Sequence, residues 1–445
     1  MRGAMVRAAA TVAAGTHALH FATGEVLATA VDVTIPKRVY RPILTPPTHC
    51  ARHNDGMRRI GIVLFALLAA ACTSTPAQEL PQQASTAPED GSSLRVDVLT
   101  DGLEHGWDVG FLPDGKLLVT QRPGRIALID GRTVSDVGAD LSDVYVRGEG
   151  GLMGMVVHPD FAQSRQFTTC QTHQEGGRAV DIRLVTWTLS ADDHSATKVR
   201  DLLTGLPVNP SGRHSGCRPA IAADGALLVG TGDTARASIA QDRHSLGGKV
   251  LRIDLKTGAP LPDNPFISSA DPNEQRIYTY GHRNVQGVTV RPGSGQVFVA
   301  EHGPTFDDEV NLLTKGGNYG WDPSKGGTET SYDEDVPMTD TQRFPDAVSP
   351  LWTSGQITEA ICGAAFLTGA QWGPLEGRLA VVALKGQKML LFSLDQQGKI
   401  TEVTLPPEFD DKFGRLRAVR SGPDGALYVT TSDGENDKVL RITPV

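Results

Sequence analysis

One histidine stands in a loop suited to acid–base chemistry. His214 lies in the Gly- and Ser-rich segment 209–218, immediately before a strand-like run. A histidine titrates near neutral pH, so it can act as a general base that removes a proton from a substrate. Asp233 ends the strand of the same repeat and is a candidate to orient the imidazole. The alternatives are a solvated loop histidine and an aspartate that caps a turn.

Two later segments carry groups suited to an oxygen-rich ligand or a cation. In segment 278–287, Arg283 presents a planar guanidinium that suits a carboxylate or a carbonyl, and Asn284 adds adaptable donors. Segment 301–311 places three consecutive acids beside a Gly-Pro turn, and free carbonyls next to carboxylates are ligands that Ca²⁺ prefers. The Gly-Gly-Asn-Tyr-Gly-Trp loop that follows can add a backbone oxygen. The alternative is a solvated acidic loop.

Cationic side chains recur near the end of the chain. Arg415 and Arg417 alternate, which predicts that both lie on one face of a strand, and Lys385 precedes them in an Ala-Leu-Lys-Gly turn. Because unpaired buried charge is costly, these cations predict an acidic ligand. A poly-carboxylate fits better than a neutral sugar alone.

A repeated pattern predicts the scaffold that positions these loops. The pattern is an apolar run, a Pro-Asp-Gly-like turn, an alternating strand, and then a glycine and a second strand. Clear copies occupy 109–129, 223–253 and 422–442, and looser copies begin near Gly151, Gly287 and Gly363. One copy is a small sheet that cannot bury its own faces, so the copies are expected to stack radially. Six copies predict an all-β, six-bladed β-propeller; a β-sandwich would not explain them.

The front of the chain has the features of a targeting sequence. Arg58 and Arg59 precede the apolar stretch 60–71, and small residues lead into Cys72, as in a secretory signal. The cysteine resembles a bacterial lipobox, in which Cys72 would carry the lipid; a plain signal peptide with an incidental cysteine is the alternative. This predicts an exported protein, lipid-anchored to the outer face of the cell membrane or periplasmic, with no other membrane contact.

The chain is therefore predicted to have four parts. They are an over-extended, unstructured gene start at 1–56, a lipoprotein signal peptide at 57–72, a flexible linker at 73–95, and the propeller at 96–445.

The cysteines and the net charge limit which cofactors and partners the sequence allows. Disulfides persist outside the cytoplasm, and Cys170 with Cys217 is a plausible pair that would leave Cys362 as a buried thiol. No spacing suggests zinc or covalent haem. The 42 Lys and Arg against 51 Asp and Glu give a net charge of −9, which argues against a nucleic-acid partner. The sequence contains no run of 18 apolar residues, so no membrane-spanning helix is predicted.

Taken together, these motifs resemble a known enzyme family. Six blades with Gly-His-Arg-Asn-x-Gln-Gly, the acidic Gly-Pro loop, Gly-Gly-Asn-Tyr-Gly-Trp and Arg-x-Arg resemble the soluble quinoprotein glucose dehydrogenases, and more closely the periplasmic aldose sugar (glucose/sorbosone) dehydrogenases. The likeness runs from about Gly102 to the C-terminus. It implies pyrroloquinoline quinone (PQQ), a tricarboxylate ortho-quinone held with Ca²⁺, and a sugar oxidised at C1 to a lactone. It also implies an external electron acceptor.

The resemblance implies roles for individual residues. His214 stands at the general base and Asp233 at its supporting acid. The positions that match cofactor contacts are Arg283, Asn284, Lys385, Arg415 and Arg417. The carbonyls of Gly303 and Pro304 match the ligands of the cofactor's Ca²⁺, and Glu309 with Tyr319 matches a second, structural Ca²⁺ site. The positions on the substrate side are Glu149, His302 and Asp308.

The sequence departs from the family pattern at a few positions. Glu149 replaces a common Gln, His302 precedes the Gly-Pro turn, and segment 361–366 lacks the aromatic residue that flanks the sugar in the glucose enzymes. Negative charge at Glu149 is expected to weaken binding of an anionic cofactor unless it is protonated or paired with Arg147.

Two other functions fit less of the sequence. One is a non-catalytic propeller that binds a sugar or a partner protein. The other is a metal-dependent lactonase, which would need carboxylates that converge on one catalytic Ca²⁺, whereas cations dominate these loops.

Overall fold

Short strands joined by tight turns make up most of the described chain. The computed structural model describes residues 93–328 and 331–445, and this part forms six four-stranded antiparallel sheets. The predicted parts 1–56 and 57–72, Cys72 and most of the linker lie outside the described residues.

The strands are grouped by sheet, each sheet being one blade. Blade 1 contains β2 Gly106–Phe111, β3 Leu117–Gln121, β4 Arg125–Asp130 and β5 Thr133–Asp136. Blade 2 contains β6 Leu152–Val157, β7 Gln166–Glu175, β8 Arg178–Leu189 and β9 Ala196–Leu206. Blade 3 contains β10 Arg218–Ile221, β11 Leu227–Gly230, β12 Lys249–Ile253 and β13 Ile277–Tyr280. Blade 4 contains β14 Val285–Val290, β15 Val297–Glu301, β16 Glu309–Leu312 and β17 Trp352–Thr353. Blade 5 contains β18 Ile361–Phe366, β19 Leu379–Ala383, β20 Met389–Leu394 and β21 Ile400–Thr404. Blade 6 contains β22 Leu416–Ser421, β23 Leu427–Thr431, β24 Asp437–Pro444 and, from the start of the propeller, β1 Leu94–Leu103.

The first strands of the blades form a closed ring. Strands β2, β6, β10, β14, β18 and β22 each pack against the next, and β22 packs against β2. This ring surrounds a central channel, so the predicted six-bladed β-propeller is confirmed. The helical segments are short and lie in connections: α1 Phe161–Ser164 and the 3₁₀ turns Glu274–Arg276, Ala370–Leu375 and Pro407–Phe409. None of the helices in the two described stretches has the length and apolarity needed to cross a bilayer.

The repeated Pro-Asp-Gly-like turns explain why short strands pair within a blade. In the turn between β2 and β3, the Lys116 carbonyl accepts the Leu112 N–H (2.9 Å) and the Asp114 carboxylate accepts the Lys116 N–H (3.2 Å). Gly115 has φ +89°, a left-handed conformation that glycine adopts without steric cost. The turn thereby fixes the register in which Phe111 faces Leu117.

The N-terminal strand closes the ring. β1 pairs antiparallel with β24, from Leu94 opposite Pro444 to Leu103 opposite Asp437. Blade 6 therefore joins the two ends of the propeller. β1 begins at Leu94, two residues inside the predicted linker 73–95, because the strand pairs to the end of β24.

Apolar contacts and one disulfide join neighbouring blades. Leu118 of blade 1 and Trp187 of blade 2 share one buried cluster. A disulfide joins Cys170 of β7 to Cys217, the residue before β10, and so links blade 2 to blade 3. Cys362 is a free buried cysteine, and burial raises the pKa of its thiol.

A buried ion cluster crosses the channel. We call Asp108, Arg218 and Arg420 the central ion cluster. Asp108 Oδ2 lies 2.9 Å from Arg218 Nη1 and 2.7 Å from Arg420 Nη2, and its Oδ1 accepts a hydrogen bond from Arg420 Nε at 2.9 Å. Burial raises the pKa of Asp108, but Arg420 and Arg218 together hold it below its ordinary value. These side chains connect the innermost strands of blades 1, 3 and 6.

The cluster also separates the two ends of the channel. Arg218 stacks on the Trp107 ring at 4.0 Å and donates from Nε to the Gln286 carbonyl at 2.8 Å. Beyond Arg420, an apolar cavity of ≈ 420 Å³ opens at the C-terminal ends of the six innermost strands. Polar loops gather at the other end.

Removing the Asp108 charge tests the importance of the cluster. Asp108→Asn keeps the side-chain shape but leaves two buried guanidinium groups without a counter-charge, so we expect the free energy of unfolding to fall by about 3–5 kcal/mol. Urea-induced unfolding at neutral pH measures it. Because the Asp108 pKa is lowered, the wild-type contribution is present at neutral pH and is lost only as the pH falls through that lowered value.

The matched control is Asp424→Asn, which breaks the partly exposed Asp424–Arg441 pair (2.7 Å) in blade 6. A pair of that kind is expected to contribute less than about 1 kcal/mol. Equal losses in the two variants would contradict a special role for the central ion cluster.

Candidate active site

The residues singled out from the sequence converge on the loops that lead into the innermost strands. His214 precedes β10, Asn284 precedes β14, and Arg417 lies at the start of β22. These strands form the ring, so their beginnings meet at one mouth of the channel.

His214 and Asp233 form a buried hydrogen-bonded pair. His214 Nδ1 lies 2.7 Å from Asp233 Oδ1, and the side chains are 4% and 0% exposed. Burial raises the pKa of Asp233, but His214 and Arg283 hold it below its ordinary value, so the carboxylate is charged at neutral pH. His214 Nε2 makes no hydrogen bond with the described residues. This is the arrangement of a base whose proton position is set by an acid.

A glycine allows this approach. His214 has φ +51°, and its carbonyl lies so close to Gly232 that a Cβ there would be 2.0 Å from the oxygen. Gly232 therefore brings the end of blade 3's second strand, and Asp233 with it, against the His214 loop.

Two aromatic side chains hold the second oxygen of Asp233. Trp321 Nε1 donates to Oδ2 at 2.7 Å, and Tyr332 Oη donates to it at 2.6 Å. Trp321 ends the Gly-Gly-Asn-Tyr-Gly-Trp loop noted in the sequence. Tyr332 was not predicted, because it stands alone in a Ser- and Asp-rich connection that carries no recurring pattern.

Glu149 faces the same histidine from blade 2. Its Oε2 accepts hydrogen bonds from Asn284 Nδ2 (3.0 Å) and Gln286 Nε2 (3.1 Å), and its Oε1 accepts the His214 N–H (3.3 Å). Burial raises the Glu149 pKa, but His214 and other nearby groups hold it below its ordinary value. Neither protonation nor a pair with Arg147 is found for Glu149 among the described residues: nearby histidines and amide donors stabilise the charged carboxylate instead.

Arg283 is buried and points its guanidinium across the mouth. Nη1 donates to the His302 carbonyl at 2.8 Å and Nη2 pairs with Glu334 at 2.6 Å. The group lies 5.7 Å from the Trp321 ring. Its Nε is buried and has no partner among the described residues.

Further cations come from blades 1, 5 and 6. Arg417 is 6% exposed and lies 5.4 Å from the Trp107 ring, whereas Arg415 and Lys385 are exposed at the mouth. Arg122, which the sequence did not single out, adds a fourth cation: burial, then Arg417 and Arg415, lower its pKa. Nothing in the sequence indicated Arg122, because it follows β3 and lies almost 300 residues before Arg417.

These donors fit an anionic, carbonyl-rich ligand. Arg283 Nε and Arg122 Nε are buried without a hydrogen-bond partner in the described part of the chain. Buried polar atoms usually have partners, so unpaired ones at a cationic mouth favour a ligand with several oxygens. The residues present therefore fit PQQ, with Glu149 as the opposing charge.

The predicted Gly-Pro calcium loop is organised by Asp308. Asp308 Oδ1 accepts the Gly303 N–H and the Thr358 hydroxyl, each at 2.8 Å, and Oδ2 accepts the Glu359 N–H at 2.6 Å. Asp308 is fully buried, so in this geometry it supports the loop instead of facing a sugar. His302 is about one-quarter exposed beside it, and its Nδ1 donates to the Gly303 carbonyl. Pro304 is half-buried.

The second predicted calcium position brings a carboxylate and a carbonyl together. The Thr339 hydroxyl lies 2.9 Å from Glu309 Oε1 and 3.1 Å from the Tyr319 carbonyl oxygen. Burial, followed by the nearby Glu301 carboxyl, raises the pKa of Glu309 to about 8. No three His, Cys, Asp or Glu side chains within 93–328 and 331–445 are grouped as a metal site, so either cation would need main-chain oxygens.

Comparison with known proteins places this site in a family. The family model for glucose/sorbosone dehydrogenases matches residues 103–441. The chain is 31% identical over 355 residues to the aldose sugar dehydrogenase YliI of Escherichia coli, covering 79% of this chain and 94% of that one.

Solved structures agree with the sequence match. The apo form of the soluble aldose sugar dehydrogenase of E. coli superposes with a TM-score of 0.68 at 31% identity, over 79% of this chain and 100% of that one. The PQQ-bound aldose sugar dehydrogenase of Streptomyces coelicolor gives 0.64 at 28% identity, over 81% and 100%. The resemblance drawn from the motifs is confirmed, and the chain belongs to the glucose/sorbosone dehydrogenase family.

Proposed function

We propose that this protein is a PQQ- and Ca²⁺-dependent aldose dehydrogenase that oxidises the C1 hydroxyl of a sugar to the lactone. The observation that carries the proposal is the buried His214–Asp233 pair, whose free Nε2 lies at the same mouth as Arg283 and Arg417. Relatives named as aldose sugar dehydrogenases support a sugar as substrate.

The cationic mouth would hold the cofactor. Arg283, Arg417, Arg415, Lys385 and Asn284 supply charges and donors for a tricarboxylate, and Arg122 adds to them. When bound, PQQ supplies an electrophilic carbonyl that accepts the hydride from the sugar C1.

The chain's own part of the reaction is a proton transfer. His214 Nε2 takes the proton of the C1 hydroxyl, while Asp233 keeps the other ring proton on Nδ1 and stabilises the imidazolium that forms. Loss of that proton and of the C1 hydride converts the cyclic sugar to its lactone. Beneath the site, the Arg218 guanidinium stacks on the Trp107 ring and both side chains are buried, which limits the access of water from that side.

The proposal also covers the electron acceptor and the location of the protein. The sequence has no motif for covalent haem, so an external acceptor takes the electrons. Arg58, Arg59, the apolar stretch 60–71 and Cys72 support export and a lipid anchor.

Substitution of the base gives the direct test. We expect His214→Ala to lower kcat for an aldose by about 10²–10⁴-fold, since that is the usual contribution of a general base, while PQQ still binds. Steady-state turnover with an artificial acceptor measures kcat, and quenching of protein fluorescence measures PQQ binding.

The matched control is His244→Ala. His244 also lies 2.7 Å from an aspartate, Asp271, but its side chain is 74% exposed, whereas that of His214 is 4% exposed. Full turnover in His214→Ala, or an equal loss in His244→Ala, would contradict the role of His214 as the base.

We also propose two Ca²⁺ positions, one at the Gly303 and Pro304 carbonyls and one at Glu309 and Tyr319. The convergence of Glu309 Oε1 and the Tyr319 carbonyl on one hydroxyl supports the second position, since oxygen ligands of this kind suit Ca²⁺.

Calcium is expected to stabilise the fold through this second position. At 100 times its Kd, Ca²⁺ would raise the free energy of unfolding by about 2.7 kcal/mol, and calorimetry would record a higher Tm that chelator reverses. Glu309→Gln should remove most of this Ca²⁺-dependent rise, whereas Glu402→Gln in blade 5 should keep it. The same rise in wild type and Glu309→Gln would exclude Glu309 as a ligand.

A further inference from the structure

Tyr332 makes contacts that the proposed chemistry does not yet use. The residue lies in the long connection between β16 and β17 of blade 4. Its hydroxyl donates to Asp233 Oδ2 at 2.6 Å and lies 3.2 Å from His214 Nδ1. Trp321 Nε1 donates to the same oxygen, so Oδ2 is fully used by neutral donors while Oδ1 faces the histidine.

The ring of Tyr332 is fixed from several sides. The Arg213 guanidinium lies 5.7 Å from the ring, and Arg213 pairs with Glu334 at 3.0 Å. Glu334 in turn pairs with Arg283 at 2.6 Å, and the Tyr332 ring packs beside Trp321 at 6.2 Å. These contacts aim the hydroxyl at Asp233 from a different blade than the one that carries the His–Asp pair.

We propose that Tyr332 is a positioning residue that acts through Asp233. By holding Oδ2, its hydroxyl leaves Oδ1 aligned with His214 Nδ1, which keeps the ring proton on Nδ1 and Nε2 free to accept the substrate proton. This role rests on the proposed function, in which His214 is the base.

The charge on the Asp233 carboxylate determines how loss of the Tyr332 hydroxyl would change the protonation of His214. A donor on Asp233 spreads the carboxylate charge, so removing it makes Asp233 a stronger acceptor and favours the protonated form of the facing imidazole. The Tyr332 hydroxyl remains a donor at neutral pH because burial, and then the Asp233 charge, raise its pKa. The titratable groups that face the pair from the surrounding elements are Glu149, Lys249, Arg283, His302 and Tyr332.

The effect can be observed without cofactor or turnover. In the full chain labelled with ¹⁵N-histidine, the His214 resonances are identified by their loss in His214→Gln. In Tyr332→Phe we expect the pH midpoint of His214 titration to move upward by about 0.5–1 pH unit, because a hydrogen bond of this kind is worth roughly that much.

Tyr428→Phe is the matched control. Tyr428 also donates to an aspartate, Asp424 Oδ2 at 3.0 Å, but in the turn region of blade 6 at the opposite end of the innermost strands. Its loss should leave the His214 signals unchanged. Melting curves of both variants report whether each one folds, and Tyr332→His, which keeps a ring donor, should restore part of the wild-type titration.

Turnover gives the second readout. In Tyr332→Phe the acid limb of the kcat profile should move to higher pH and kcat should fall roughly tenfold, with KM for sugar and PQQ binding nearly unchanged. Identical His214 titration and identical pH profiles in wild type and Tyr332→Phe would overturn the role of Tyr332. If the His214 titration shifts in Tyr332→Phe but the wild-type protein oxidises no aldose, the positioning contact is supported and the proposed function is refuted.

Discussion

The Asp108 carboxylate, shared between Arg218 and Arg420, is the contact on which the channel depends. Its partners come from β10 and β22, and it also accepts the Met155 N–H of β6 at 3.1 Å. Arg218 then donates to the Gln286 carbonyl in β14. One buried charge cluster therefore ties innermost strands of five blades at a single level of the ring. Charges buried in this way need complete pairing, which fixes the spacing of the strands.

The spacing of the innermost strands also determines where the residues of the candidate active site lie. Gln286, whose carbonyl Arg218 holds, uses its side chain to bind Glu149, and Glu149 accepts the N–H of His214. Arg218 Nη2 also approaches the Arg417 carbonyl at 3.4 Å. The positions of His214, Glu149 and Arg417 are thus fixed by one set of contacts to the ring of innermost strands.

Much of the fold and part of the site could be predicted from the sequence, because those signals are local. The Pro-Asp-Gly-like turns and alternating strands recur six times, and His214 and Asp233 belong to one blade, at the same end of it. The central ion cluster could not be predicted, because Asp108 and Arg420 are 312 residues apart and meet only when β1 closes the ring. Arg122 was missed for the same reason, and Tyr332 was missed because it stands alone in a connection that carries no recurring pattern. The hydrogen bonds that stabilise the Glu149 carboxylate could not be predicted either, because their amide donors come from another blade.

A titration with PQQ in the presence of Ca²⁺, followed by an aldose, tests the central claim most directly. The account predicts saturable binding of one PQQ per chain, much weaker in Arg417→Ala, and loss of the oxidised quinone absorbance when a suitable aldose is added. Failure of PQQ to bind, or equal binding by wild type and Arg417→Ala with no change in absorbance for any aldose, would contradict a quinone-dependent sugar dehydrogenase at this mouth of the channel.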